Sequence, residues 1–184
     1  MESYQWGVVL AMLICSAFFS GMEIAFVSAN KLKIELDGKQ GSFLAKILAG
    51  FLKKPSRFIG TMLVGNNIAL VIYGIYMAKI LEPKIALYTH SEAIILIVQT
   101  ILSTILILIT AEFLPKTLFR INPNLVLRFF AFPLLIIYWI LLLPMLLVIS
   151  ISEMLIRLFS KEVTKADELN FGRLDLEHYI KEGT

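Results

Sequence analysis

Three polar interruptions in apolar segments hold the residues of this chain that are able to do chemistry. The first is Ser20-Gly21-Met22-Glu23, set between Phe18-Phe19 and Ile24-Ala25-Phe26. The second is Gly65-Asn66-Asn67, and the third is Thr110-Ala111-Glu112-Phe113-Leu114-Pro115-Lys116. Two carboxylates, a hydroxyl and two amides make an all-oxygen ligand set. Hard cations such as Mg²⁺, Ca²⁺ or Na⁺ take such ligands, while Zn²⁺ and copper favour imidazole and thiolate. Gly21 lets backbone approach an ion, and Pro115, with no N–H, frees carbonyls one turn back, near Ala111. An intramembrane carboxylate is a functional candidate by default. The reading is one cation site built where the three interruptions converge.

Plainer readings compete residue by residue. Glu112 and Lys116 stand i, i+4 and equally form a surface pair at a helix end. Glu23 can snorkel to the interface. Ser16 and Ser20 can simply bond to backbone, and Asn66-Asn67 can clasp two helices. His90 and His178 have no second ligand at metal spacing and are read as incidental.

The elements that must position these residues are membrane helices. Of 184 residues, 58% are hydrophobic and only 17% charged, against about 25% charged in a soluble domain. The net charge of +3 sits in loops and gives no reason to expect nucleic acid. Cys15 is the single cysteine, so no intramolecular disulfide forms. Met1-Glu2-Ser3-Tyr4 lacks a basic n-region, and the first apolar run is read as a retained span. Three spans are predicted, over about 4–27, 58–81 and 93–114, each near the length needed to cross the hydrocarbon. Ser16, Ser20 and Glu23 share a face of the first. Gly60, Asn67 and Gly74 share a face of the second, where small residues permit close helix approach; Pro83 ends it. Gln99, Ser103 and Thr110 form a polar stripe on the third. Between the first two spans, Lys31, Lys33, Lys39, Lys46, Lys53 and Lys54 alternate with Leu32, Leu36, Phe43, Ile47 and Leu48. That pattern is a basic amphipathic linker on the membrane surface, broken at Gly38 and Gly41. Its lysine excess places it in the cytoplasm and the N-terminus outside.

The fourth apolar stretch, Phe129 to Phe159, is interrupted by Pro133 and Pro144 and is basic at both ends. It either crosses, or kinks into a hairpin that returns to the cytoplasmic side. The tail, 161–184, is polar, with a helix starting within Asp175 to Lys181. It reads as the start of a linker to a further domain. No H-E-x-x-H, G-x-S-x-G, P-loop or dinucleotide fingerprint occurs, so no enzyme is expected.

Ser20-Gly21-x-Glu23 closing the first span, a basic linker, Gly65-Asn66-Asn67 in the second span and Glu112-x-x-Pro115-Lys116 closing the third resemble, in that order, the transmembrane domain of the cyclin M/CorB/CorC magnesium transporters. The likeness covers about Gly7 to Phe159. It implies a homodimer whose subunits carry three spans, followed by a juxtamembrane helical hairpin, which here is a Pro-kinked hairpin over about 124–159. It also implies a transmembrane domain over 1–160 in the plasma membrane with a cytoplasmic C-terminus. A cytoplasmic pair of cystathionine-β-synthase (CBS) repeats that binds ATP normally follows, so ATP would act only through that absent domain. The implied activity is Mg²⁺ export coupled to Na⁺ entry. The implied Mg²⁺ ligands are Ser20, Asn66 or Asn67, and Glu112, with Gly21 through its backbone. Ser16 and Pro115 support them. Glu23 either ligates or lines the ion path, and Lys116 orients the last turn and answers Glu112 when the ion is absent. An exchanger or channel for Ca²⁺, Co²⁺ or H⁺, or a non-transporting scaffold or sensor, uses the same residues.

Overall fold

The structure is a computed structural model describing residues 2–159. The tail helix expected within Asp175 to Lys181, and His178, lie outside the described residues. The described residues are helical throughout, with no strand: α1 (Glu2–Ser28), α2 (Lys31–Lys39), α3 (Phe43–Leu52), α4 (Pro55–Ile85), α5 (Glu92–Ile107), a π-helical segment (Leu108–Phe113), α6 (Leu114–Ile121) and α7 (Pro123–Phe159). Helices satisfy every backbone group within one segment, as hydrocarbon requires. The chain divides into two units, residues 1–145 and 146–184; all packing described below lies within the first.

Among the described residues, four helical stretches are long and apolar enough to cross a membrane: Ser3–Ser28, Pro55–Ile85, Glu92–Ile121 and Pro123–Ser152. The first three contain the three predicted spans. α1 packs along α4. The third stretch leans between them, its α5 half against α4 and its π and α6 half against α1. This lean carries the Glu112 segment to the first span.

The linker is a helix pair. Asn30 caps α2 by accepting from the Lys33 N–H at 2.9 Å, and Ser42 caps α3 by accepting from the Ala45 N–H at 3.4 Å. The break falls at Gly41, whose φ of +98° favours glycine. Gly38 is not a break: it lies buried inside α2.

Two apolar clusters hold the bundle. The larger joins Met22, Ala25 and Phe26 of α1 with Ile34, Leu48, Phe51, Phe58 and Met62, and with Leu127, Ala131 and Leu134 of α7. Phe58 stacks on Phe26 at 4.1 Å between centroids, and Phe51 bridges Phe58 and Tyr138. The smaller gathers Val9, Tyr73, Met77 and Ile80 at the opposite end.

Three further expectations need correction. The predicted hairpin over 124–159 does not form, because α7 runs as one helix through Pro133 and Pro144. Each proline forfeits a single backbone bond, and the flanking turns keep theirs, so the helix continues. The chain turns earlier, at Asn122 (φ −134°, ψ 68°), between α6 and α7. Pro83 likewise does not end α4, which continues to Ile85; its missing N–H removes one backbone bond, to the Lys79 carbonyl, and the neighbouring turns keep theirs. Finally, close approach occurs at Gly65, not at Gly60 or Gly74. A Cβ on Gly65 would stand 2.6 Å from the Phe19 ring and 2.8 Å from Leu141, while Gly74 has nothing within 4 Å.

Candidate intramembrane ion site

Ser16 and Ser20 lie one turn apart on α1, each only 1% exposed. Their hydroxyls clamp the two neighbouring spans. Ser16 donates to Asn66 Oδ1 of α4 at 2.6 Å. Ser20 donates to the Ala111 carbonyl in the π segment at 2.6 Å. The second contact follows from the sequence of the third span. The ordinary α-helical donor for the Ala111 carbonyl would be the N–H of residue 115, which is proline. Around this position the helix widens, with the Leu114 N–H reaching back five residues to Ile109, and Ser20 supplies a donor from another helix. Isolated π turns inside long helices occur frequently at functional sites.

Glu112 follows Ala111 directly. Its carboxylate stands 3.8 Å from Lys116 Nζ, with the two side chains 30% and 42% exposed respectively. Both the surface-pair reading and a role for Lys116 in answering Glu112 fit this contact. Pro115 is buried, at the start of α6.

The structure thus brings Ser16, Ser20, Asn66 and Ala111 together and puts Glu112 next in chain to the last of them. It separates others. Asn67 is exposed, because one residue along a helix turns the side chain by about 100°; of the two asparagines, Asn66 faces α1. Glu23 is half-buried, with no ion-pair partner among the described residues. Gly21 lies under the Phe119 ring, 2.5 Å from where a Cβ would sit. Its smallness therefore lets α6 approach α1.

The polar stripe of the third span resolves differently. Thr110 turns back to the Leu106 carbonyl of its own helix at 2.7 Å. Tyr73 donates to the Ser103 carbonyl at 3.3 Å. Gln99 Oε1 is buried without a partner.

Phe119, Phe19 and Leu141, which cover the two glycines, were not singled out as partners from sequence. Their signal was only their size, facing Gly21 and Gly65 at distances in the chain that no periodicity encodes. Phe129 and Trp139 are exposed, whereas Phe18 and Phe130 pack edge-on at 5.3 Å.

Chemically, the cluster offers two hydroxyl oxygens, an amide oxygen and a main-chain carbonyl oxygen, and the residue next in chain to that carbonyl is the carboxylate Glu112. Each oxygen already in a hydrogen bond retains a lone pair. Among the described residues no group of three His, Cys, Asp or Glu is placed to hold a metal. A cation here would rest mainly on neutral oxygens, with Glu112 supplying the charge.

Residues 7–184 match the cyclin M transmembrane N-terminal domain. The chain is 32% identical over 166 residues to the UPF0053 inner membrane protein YfjD of Escherichia coli, covering 88% of this chain and 36% of that protein. It is 33% identical over 143 residues to a UPF0053 protein of Mycoplasma pneumoniae, the MG146 homolog, covering 71% and 33%. A UPF0053 protein of Synechocystis, sll0260, is 28% identical over 126 residues, covering 63% and 28%. The chain therefore spans about a third of the length of the curated relatives it matches. With its apolar helices, its S-G-x-E serine bound to the carbonyl beside Glu112, and this match along nearly its whole length, the chain is a multi-pass membrane protein of the cyclin M transmembrane domain family, a family linked to metal-ion transport.

Proposed function

We propose that this chain is the transmembrane domain of a Mg²⁺ exporter driven by Na⁺ entry, and that it works as a homodimer in the plasma membrane. The observation that carries the reading is the bond from Ser20 to the Ala111 carbonyl. It joins two of the three polar interruptions, and Glu112 is the next residue in the chain. Ser20, Asn66 and Glu112 are the ligands, Ser16 orients Asn66, and Gly21 and Pro115 shape the backbone. Glu23 lines the path.

Mg²⁺ sheds water reluctantly, so the site has to offer a full charge. Glu112 supplies it. With no ion bound, Lys116 balances that charge; an arriving cation takes its place, and the ammonium is released towards solvent. Loading is thereby coupled to movement of α6, which carries Lys116.

The N-terminus is outside and the C-terminus cytoplasmic, as the lysines of α2 and α3 favour. The contacts of α7 support a three-span arrangement. Tyr138 meets Phe51, Leu141 covers Gly65 and Met145 meets Gly60. These partners do not climb along α4, as a fourth crossing would require.

The test is Mg²⁺-dependent thermal stabilisation of the purified chain, followed by Mg²⁺ flux in proteoliposomes with and without a Na⁺ gradient. Glu112→Gln is expected to abolish the stabilisation and leave the dimer intact. Unchanged stabilisation in that variant overturns Glu112 as ligand. Stronger stabilisation by Ca²⁺ or Co²⁺ favours the exchanger reading, and absence of flux favours the scaffold.

A further inference from the structure

Away from the ion site, a cavity of about 240 Å³ opens at the corner of α2, α3 and the start of α7. Lys33, Asp37, Asn124 and Arg128 line it together with Ile34, Leu48 and Leu125. Its walls are fixed. The Asn30 side chain caps α2 at the Lys33 N–H, and the Asn30 N–H donates to Asn124 Oδ1 at 3.0 Å. The corner is thus tied across 94 residues of chain. Ile34 and Leu48 form an apolar floor that belongs to the larger core cluster.

The charges suit an anion of one unit. Two cations and one carboxylate line the cavity, leaving a single net positive charge, and among the described residues neither cation lies within 4.0 Å of a carboxylate. Lys and Arg around an apolar floor match a phosphate joined to hydrocarbon better than a free ion. The hydrocarbon has somewhere to go: Leu125 and Phe129, one turn apart on α7, are 68% and 74% exposed. The cavity also lies at the lysine-rich end of the bundle, where Lys31, Lys39, Lys46, Lys53 and Lys54 cluster. Basic pockets at that boundary attract anionic headgroups.

We propose that this cavity is a binding site for an anionic phosphodiester lipid of the inner leaflet, of the phosphatidylglycerol type. Lys33 and Arg128 meet the phosphate, and Asp37 accepts from a headgroup hydroxyl. The acyl chains run over Leu125 and Phe129. Only the assignment to the inner leaflet rests on the orientation proposed above. The lipid would hold the α2–α3 linker to the α6–α7 turn.

The experiment uses the full 184-residue chain, purified in detergent and delipidated. The thermal midpoint is followed as dioleoylphosphatidylglycerol is added to the micelles. Phosphatidylcholine, phosphatidylethanolamine and inorganic phosphate at equal phosphate concentration are run in parallel. Phosphatidylglycerol is expected to raise the midpoint saturably, and the other three are not. Lys33→Gln and Arg128→Gln, both at exposed positions, are each expected to raise the half-saturating lipid fraction about fivefold. Lys84→Gln, at the other end of α4, is expected to leave it unchanged. An equal response to either zwitterionic lipid, a full response to inorganic phosphate, or unchanged half-saturation in both cavity variants overturns the proposal. The Mg²⁺ response of the same samples reports separately on the transport reading, because neither variant touches the ion site.

Discussion

Replacing Ser20 by alanine strips the Ala111 carbonyl of the donor that α1 supplies. In most helices the loss would be small, because the N–H four residues on bonds the carbonyl as well. Here residue 115 is proline, so that donor does not exist. Leaving a buried group unpaired costs about 1–3 kcal/mol in soluble proteins, and hydrogen bonds between membrane helices average about 0.6 with a ceiling near 1.7 kcal/mol. Alanine recovers a few tenths through its better helix propensity. Since Ser20 is 1% exposed and its bond is 2.6 Å long, the upper half of the membrane range applies, and a net loss of about 1 kcal/mol is expected. The decisive perturbation is a double-mutant cycle with Pro115→Ala, which restores an N–H at position 115. In that background Ser20→Ala should cost much less, giving a coupling energy of at least about 0.5 kcal/mol. Reversible unfolding in mixed micelles measures all four corners, with Mg²⁺-dependent stabilisation recorded on each. Strict additivity, or a Ser20→Ala variant as stable and as responsive to Mg²⁺ as the parent, refutes the argument that the π segment and Ser20 satisfy one another.

The remaining predictions use the same preparation. Gly21→Ala and Gly65→Ala should each lose about 1–3 kcal/mol through overpacking, because the added methyl would meet Phe119 or Phe19 below 3.0 Å. Gly74→Ala, with open space around it, should be neutral or gain up to about 1 kcal/mol from helix propensity; equal losses at all three positions would mean that the packing described is wrong. Lys116→Met frees Glu112 from an exposed ion pair worth about 0.2–1 kcal/mol. Half-maximal Mg²⁺ stabilisation should then shift to about 1.5- to 5-fold lower Mg²⁺, and a shift the other way would show Lys116 helping to hold the ion.

Much of the bundle could be read from residue order alone, and the reasons are local. The long apolar helices over the three predicted stretches follow from runs long enough to cross hydrocarbon. The linker follows from lysines interleaved with leucines and from a glycine at position 41 that takes a positive φ. The freed carbonyl near Ala111 follows from Pro115. The errors have physical causes too. A proline in the sequence marks a missing donor, but whether the helix yields depends on what surrounds it. At Pro133 and Pro144 the neighbouring turns hold the helix, and at Pro83 the helix is about to end. Gly60 and Gly74 share a face with Asn67, but a shared face says nothing about what packs on it.

The candidate site shows the same division. Residue types and spacing single out Ser20, the asparagine pair and Glu112 as candidates, because a hydroxyl, an amide or a carboxylate inside an apolar run is costly and needs a partner. They were not enough to choose Asn66 over Asn67, to assign Gly21 to the Phe119 contact, or to identify the Ala111 carbonyl as the partner of Ser20. Those choices depend on the rotation of each helix about its axis and on the lean of the third span from α4 to α1. Both are settled by side-chain packing between segments 50 to 91 residues apart in the chain, a distance at which no local pattern carries information.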